Sequence, residues 1–150
     1  MIEINNLTTN PVDEDFLRKS AKIVLDGEGK DDVDLSIAFV GQGRMREINK
    51  KYRGKNRVTD ILSFPESKVL LQKFKIGPAQ KIQGLGEIII CLREVKKNAK
   101  KFSSSFEKEL NKVLIHGILH LLGYDHEKSE IEARRMEEKE EYYLSQIVSL

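Results

Sequence analysis

The spacing of apolar residues along the chain predicts four short strands. The segment VDLSIAFV, residues 33–40, has the period-2 pattern of a strand, with Val33, Leu35, Ile37 and Phe39 directed toward one face. The segment GEIIICL, residues 86–92, is a continuous apolar run, which is typical of a buried strand. Shorter strands are predicted for IEINN, residues 2–6, and VTDILSF, residues 58–64.

Elsewhere apolar residues recur at spacings of three and four, which predicts five helices. The first begins near Asn10 or Asp13 and ends at about Asp26, and the second lies between Gly43 and Gly54. The other three are expected at 93–102, 105–122 and about 129–148. Together these elements predict an α+β fold, in which a small mixed sheet of about four strands packs with about five helices in one domain spanning residues 1–150.

The segment from residue 66 to residue 84 shows no clear apolar period and contains Gly77, Pro78 and Gly84. Connections of this length within a compact domain are usually functional or mobile. We therefore expect a functional or mobile loop here.

Composition narrows the class of protein. Of the 150 residues, 39% are hydrophobic and 33% are charged, which is typical of a globular domain with its own core. The first ten residues lack the features of a signal peptide, and no apolar run is long enough to span a bilayer. A lone cysteine, Cys91, excludes an internal disulfide. We therefore expect a cytoplasmic protein with no membrane partner.

Charge is distributed unevenly, although the net charge is only +2. Residues 44–57 hold seven basic side chains and one acid, Glu47, whereas residues 127–141 hold seven acids and four bases. This asymmetry predicts a positive face that could meet a polyanion. Ordinary solvated helix faces are the alternative explanation.

The segment HGILHLLGYDH, residues 116–126, contains every histidine of the chain. Ser104 and Glu107 predict a capping box at the start of its helix. On that helix His116 and His120 are four residues apart and share one face. Gly123 is expected to end the helix, so that His126 can approach from another direction.

Three histidine ligands leave a fourth position open, as in a catalytic zinc site, and predict one Zn²⁺ per chain. Histidines in hydrogen bonds within the core are the alternative. Asp125 either steadies one imidazole or serves as a turn aspartate.

The histidine spacing matches the metzincin peptidase signature at every position but one, where Gly117 replaces the general-base glutamate. A glycine inside a helix is unfavourable, so we expect a reason for it here. Either a substrate or a segment of backbone needs space near the metal, or the helix packs closely against a neighbouring element. The missing base weakens a peptidase interpretation.

HGILHLLGYDH, together with EINKKYRGKNRVTDILSFPE and LGEIIIC, resembles the YbeY family of bacterial metal-dependent endoribonucleases over about residues 35–136. The resemblance implies a fold similar to zinc peptidases. It also implies a zinc-dependent, single-strand-specific endoribonuclease acting in ribosomal RNA maturation, at the 16S 3′ end, and in ribosome quality control. Its partners would be single-stranded or ribosomal RNA and the ribosome or its proteins.

Mapped onto this sequence, the resemblance assigns the metal ligands to His116, His120 and His126, and catalytic roles to Arg53 and His116. The nucleophile is left open between water and the RNA 2′-hydroxyl. Phosphate contacts would account for the basic stretch, and we assign RNA binding to Lys50, Lys51, Lys55 and Arg57. Asp60, Ser63 and Glu87 are candidate proton handlers or substrate contacts, and Tyr52, Phe64 and Tyr124 are candidates for base stacking.

Two other functions remain open from the sequence. A zincin-like peptidase or other metal-dependent hydrolase predicts a carboxylate near the metal and a cleft that is not basic. A non-catalytic ribosome-assembly factor with a structural metal predicts a fourth protein ligand, for which Cys91 is the candidate.

Overall fold

The structure is a computed structural model that describes residues 1–65 and 84–148. Most of the predicted connection at 66–84 lies outside these ranges. The strands are β1 (Ile2–Asn6), β2 (Asp34–Val40), β3 (Ile61–Pro65) and β4 (Gly84–Cys91). The helices are α1 (Glu14–Gly27), α2 (Gln42–Arg53), α3 (Leu92–Lys101), α4 (Phe106–Leu121) and α5 (Glu130–Val148).

The four strands form one mixed sheet in the order β1-β2-β4-β3. β1 pairs with β2, and β2 with β4, in parallel, whereas β3 is antiparallel to β4. In the register, Ile88 of β4 lies between Ile37 of β2 and Ser63 of β3. The predicted α+β fold with a small mixed sheet is therefore confirmed.

Helices cover both faces of the sheet, and β2, β3 and β4 divide their side chains between two cores. Leu35, Ile37 and Phe39 join the larger core, which they share with α1, α4 and α5. Ala38 and Val40 point the opposite way, into a smaller core with Met45 and Ile48 of α2. The alternation predicted for residues 33–40 is therefore confirmed, and α2 covers the second face of the strand as well.

Most predicted boundaries agree with the structure to within two residues, and the larger differences concern the third strand and one helix cap. The third strand begins at Ile61, three residues later than residues 58–64 predict. The N-cap of α4 is Ser105, whose hydroxyl accepts a hydrogen bond from the Lys108 backbone N–H at 3.1 Å, so the predicted capping box at Ser104 and Glu107 was wrong. Ser103 to Ser105 are three consecutive serines, and spacing alone does not identify the one at the cap.

Within the two described ranges, no helix combines the length and the apolar composition needed to cross a membrane.

Candidate functional site

A pocket between α4 and the ends of α2 and β3 gathers the predicted chemistry. His116, His120 and His126 line it together with Arg53. Its other lining residues come mostly from α2 and from the segment leading into and through β3: Asn49, Lys55, Arg57, Thr59, Asp60, Ile61, Leu62 and Ser63, with Glu127 after the histidine turn. Residues separated by more than sixty positions in sequence therefore meet in one place.

The three histidines reach the pocket from two directions, as the spacing predicts. His116 and His120 lie one turn apart on α4, with their rings nearly parallel (5°) and their centroids 6.4 Å apart. α4 then ends, and Gly123 takes a φ of +102°, a backbone conformation that favours glycine. The ring of His126 consequently lies 5.4 Å from that of His116, tilted by 54°.

Three imidazole nitrogens are suitable ligands for zinc. The rings of His116 and His120, however, are too far apart to bind one ion as they lie. Two imidazoles bound to one tetrahedral zinc have ring centroids roughly 5 Å apart, given Zn–N bonds of about 2.1 Å. The pair of His116 and His126 is close to this separation, whereas the parallel rings of His116 and His120 are farther apart. In the part of the chain that the structure describes, no group of three His, Cys, Asp or Glu side chains is arranged to hold a metal ion as it stands.

The ring nitrogens show which donors are available to a metal. Nδ1 of His116 lies 3.3 Å from Oε1 of Glu140, which leaves Nε2 for the pocket. Nδ1 of His120 is buried and has no hydrogen-bond partner among the described residues. A buried imidazole nitrogen without a partner is unfavourable, and a metal bound at that nitrogen would stabilise it. The residues present therefore fit a zinc ion in donor chemistry.

Gly117 faces the sheet and not open space. A Cβ added there would lie 2.7 Å from Cδ1 of Ile61, 3.1 Å from Cδ1 of Ile88 and 3.3 Å from Oγ of Ser63. Close packing of α4 on β3 and β4 therefore explains this glycine. A glutamate at this position, as in the metzincin signature, would contact apolar side chains of the core. The packing of α4 on the sheet therefore leaves no room for the general base that a peptidase of this type needs.

Arg53, in the last turn of α2, is held against β3. Its Nη2 donates a hydrogen bond to the backbone carbonyl of Ser63 at 2.9 Å, and its guanidinium lies 5.4 Å from the centroid of the Phe64 ring. Tyr52 packs edge-on against the same ring at 5.6 Å. The arginine remains exposed, so its other N–H groups are accessible from the pocket.

The basic residues predicted to bind RNA divide into two groups. Lys55 and Arg57 line the pocket, whereas Lys50 and Lys51 are exposed on α2 outside it. The four side chains therefore extend from the pocket onto the neighbouring surface of α2. Because Lys50 and Lys51 lie in the last turn of α2 and the other two in the short connection after it, a single strand of polyanion could contact both groups.

Of the acidic residues considered in the sequence analysis, one lines the pocket and two have other positions. Asp60 lines the pocket, and its carboxylate accepts from Asn98 Nδ2 at 3.4 Å. Glu87 is buried in β4 and does not line the pocket. Asp125 is a turn aspartate, because its Oδ1 accepts from the backbone N–H of Glu127 at 2.9 Å.

Two of the aromatic candidates differ in accessibility. Tyr52 is 37% exposed, whereas the Tyr124 hydroxyl donates a hydrogen bond to Glu28.

Cys91 is fully buried in the smaller core, where burial raises the pKa of its thiol, and it does not line the pocket. The position of this cysteine gives no support to a fourth protein ligand at the histidines.

Glu28, just after α1, forms a polar cluster that the sequence did not reveal. Its carboxylate accepts hydrogen bonds from Tyr124 at 2.6 Å, from Lys139 at 3.2 Å and from Tyr143. Burial alone would raise the pKa of Glu28, but these three donors lower it below its ordinary value. The cluster joins α1 to α5 and to the turn between His120 and His126.

Comparisons with known proteins identify the family of the chain. The family model described as Endoribonuclease YbeY matches residues 3–148. An Endoribonuclease YbeY of Chlorobium luteolum is 34% identical over 97% of each chain, and that of Thermodesulfovibrio yellowstonii is 50% identical over 75% of this chain and 66% of its own. The solution structure of a Thermotoga maritima protein superposes with a TM-score of 0.66 at 32% identity, covering 98% of this chain and 89% of that one. The chain belongs to the YbeY endoribonuclease family.

Proposed function

We propose that this protein is a zinc-dependent, single-strand-specific endoribonuclease of the cytoplasm that acts in ribosomal RNA maturation, at the 16S 3′ end, and in ribosome quality control. Its partners would be ribosomal RNA and the ribosome or ribosomal proteins. Family membership supports the reaction class. One observation supports the site: a single pocket brings three histidines beside an exposed arginine.

Each residue of the pocket has a role in this proposal. His116, His120 and His126 would hold one zinc ion, which supplies Lewis acidity to a phosphodiester when bound. Charge that develops on the phosphoryl oxygens needs a second cation, and Arg53 can donate two parallel N–H groups to it. The bond to the Ser63 carbonyl and the contact with Phe64 fix the guanidinium before the substrate arrives.

Proton transfer requires a carboxylate or another base near the reacting hydroxyl. Among the residues that the structure describes, Asp60 and Glu127 are the carboxylates that line the pocket, and they are the candidates to accept this proton. The Asn98 amide orients Asp60 through its hydrogen bond, whereas Glu127 is exposed beside His126. Asp60 is therefore the better positioned of the two.

Substrate binding would use the basic surface outside the pocket. Lys50, Lys51, Lys55 and Arg57 can contact phosphates without reading bases, which suits an RNA substrate chosen by strandedness. The exposed ring of Tyr52 lies beside Arg53 and offers a stacking surface for an unpaired base. A base paired in a duplex could not stack there.

Cleavage assays with metal-free and zinc-reconstituted protein test this proposal. We expect zinc-loaded protein to cut single-stranded RNA within the chain and to leave a matched duplex intact, and metal-free protein to be inactive. Replacing all three histidines by alanine should abolish both bound zinc, measured by elemental analysis, and cleavage. Unchanged metal content in that variant, or no cleavage of several RNAs by the zinc-loaded wild type, would contradict the proposal.

A further inference from the structure

Glu140 occupies an unusual position for an acidic residue of α5. The buried side chains of this helix, Met136, Tyr143 and Ile147, form one stripe that faces the core. Glu140 lies on that stripe, one turn from Met136 and from Tyr143, and is partly buried. The neighbouring acids Glu137, Glu138 and Glu141 are exposed. α5 therefore directs one carboxylate toward α4.

That carboxylate meets the first histidine of the motif. Oε1 of Glu140 lies 3.3 Å from Nδ1 of His116, with 32% and 34% of the respective side chains exposed. A carboxylate can only accept at neutral pH, so the contact favours the ring tautomer that carries its proton on Nδ1. In that tautomer Nε2 bears the lone pair, and His116 lines the pocket.

The other two histidines lack an equivalent partner. Among the residues described, Nδ1 of His120 has no hydrogen-bond partner, and the acidic side chain nearest to His126 is the exposed Glu127, at 3.9 Å from Nε2. Among the described residues, His116 is therefore the histidine of the motif whose ring nitrogen lies within hydrogen-bond distance of a carboxylate. Its partner is 24 positions away on another helix.

We propose that Glu140 is a positioning residue for the metal site: it holds the proton of His116 on Nδ1 and presents Nε2 to the metal. The inference rests on the proposed function, in which His116 is a ligand. Carboxylates behind ligating histidines fix the tautomer and raise the basicity of the ligand, and their loss lowers metal affinity by about 10- to 100-fold. Glu140 itself touches neither metal nor RNA in this proposal.

The test has one readout without metal and one with it. In metal-free protein at a pH where the ring is neutral, ¹⁵N NMR should show His116 mainly protonated on Nδ1, and Glu140→Ala should shift it toward Nε2. In chelator competition, Glu140→Ala should bind zinc about 10- to 100-fold more weakly. Glu140→Gln, which keeps the shape and loses the charge, should fall between. Glu141→Ala, which removes an exposed neighbour, should match wild type.

The outcomes separate this inference from the function on which it rests. A wild-type protein that takes up no zinc overturns both. A wild type that binds zinc, with a Glu140→Ala variant of the same affinity and the same His116 tautomer, overturns the role of Glu140 alone. If Glu140→Ala does not fold, the Glu140→Gln variant decides the question, because unchanged zinc affinity there has the same meaning.

Discussion

Gly117 shows how one residue can separate this site from that of a peptidase with the same histidine spacing. We expect Gly117→Glu to destabilise the fold by about 3 kcal/mol or more, because it places a charge against Ile61 and Ile88 with no described partner. Gly117→Ala should cost much less, since helix propensity gains about 1 kcal/mol and only the terminal atoms of three side chains, Ile61, Ile88 and Ser63, must move. Urea unfolding of both variants provides the measurement, and equal stabilities would show that residue 117 is not confined by the sheet.

Arg53 should matter more to turnover than to binding. Arg53→Lys keeps the charge but cannot donate to the Ser63 carbonyl and still present two parallel N–H groups to a phosphate. We expect kcat to fall about tenfold or more, as for removal of a charge-assisted hydrogen bond of about 1.5–3 kcal/mol.

Single-turnover cleavage of a single-stranded RNA measures this effect. Arg46→Lys, at an exposed position on the same helix, is the matched control. Metal content and thermal stability should hardly change in either variant. Equal cleavage rates for wild type and Arg53→Lys would remove Arg53 from the mechanism.

Individual residues of the candidate site differ in how far the sequence could predict them, and the difference has a physical reason. His116, His120 and His126 are close in sequence, so helical spacing and one glycine place them together. Arg53 came from the family resemblance alone. Glu140 was missed because its partner is 24 positions away, and in an acidic helix nothing in the local pattern distinguishes it from its neighbours.

Among the elements, the C-terminal part of α2 and the residues after it supply the basic surface. Replacing Lys50, Lys51 and Lys55 by glutamine should weaken RNA binding and flatten its salt dependence. On a single strand, each phosphate that the protein no longer neutralises removes roughly 0.7 from the slope of log K against log salt, so the slope should fall by up to about 2.

The matched control replaces three exposed lysines that do not line the pocket, namely Lys19, Lys22 and Lys30. This variant changes net charge by the same amount at another place. A slope that changes equally in both variants would mean that only overall charge matters, and an unchanged slope in the first would leave its lysines as solvated side chains.

The elements themselves were largely predictable, because their signals are local. Gly54 and Gly123 end helices with positive φ values of +70° and +102°, as glycine after a periodic segment predicts. The burial of both faces of β2 was not predictable from residues 33–40 alone. It depends on α2 folding back over the sheet, which is a tertiary contact.

For the whole molecule, the Glu28 cluster joins three separate parts of the chain and predicts a pH effect. Its donors lower the pKa of Glu28 from its ordinary value of 4.5, so the folded protein binds this proton less readily than the unfolded chain. The stabilising contribution is therefore present above pH 4.5 and is lost as pH falls through the lower, folded-state pKa. We expect Glu28→Gln to remove this part of the acid dependence.

Unfolding free energies measured across that pH range test this expectation. Glu137→Gln, at an exposed position of α5, should keep the wild-type profile. Tyr143→Phe should reproduce part of the loss seen in Glu28→Gln, because it removes one of the three donors. Parallel profiles for wild type and Glu28→Gln would show that the cluster does not control acid stability.

The order of the strands has a consequence for how quickly the protein can fold. The central parallel pair joins β2 to β4, whose partners such as Ile37 and Ile88 are about fifty positions apart, and long-range pairing of this kind slows folding. α4 packs on β3 and β4 and follows them in the chain. Because the pocket takes side chains from both β3 and α4, the site is complete only when the sheet and this helix have come together.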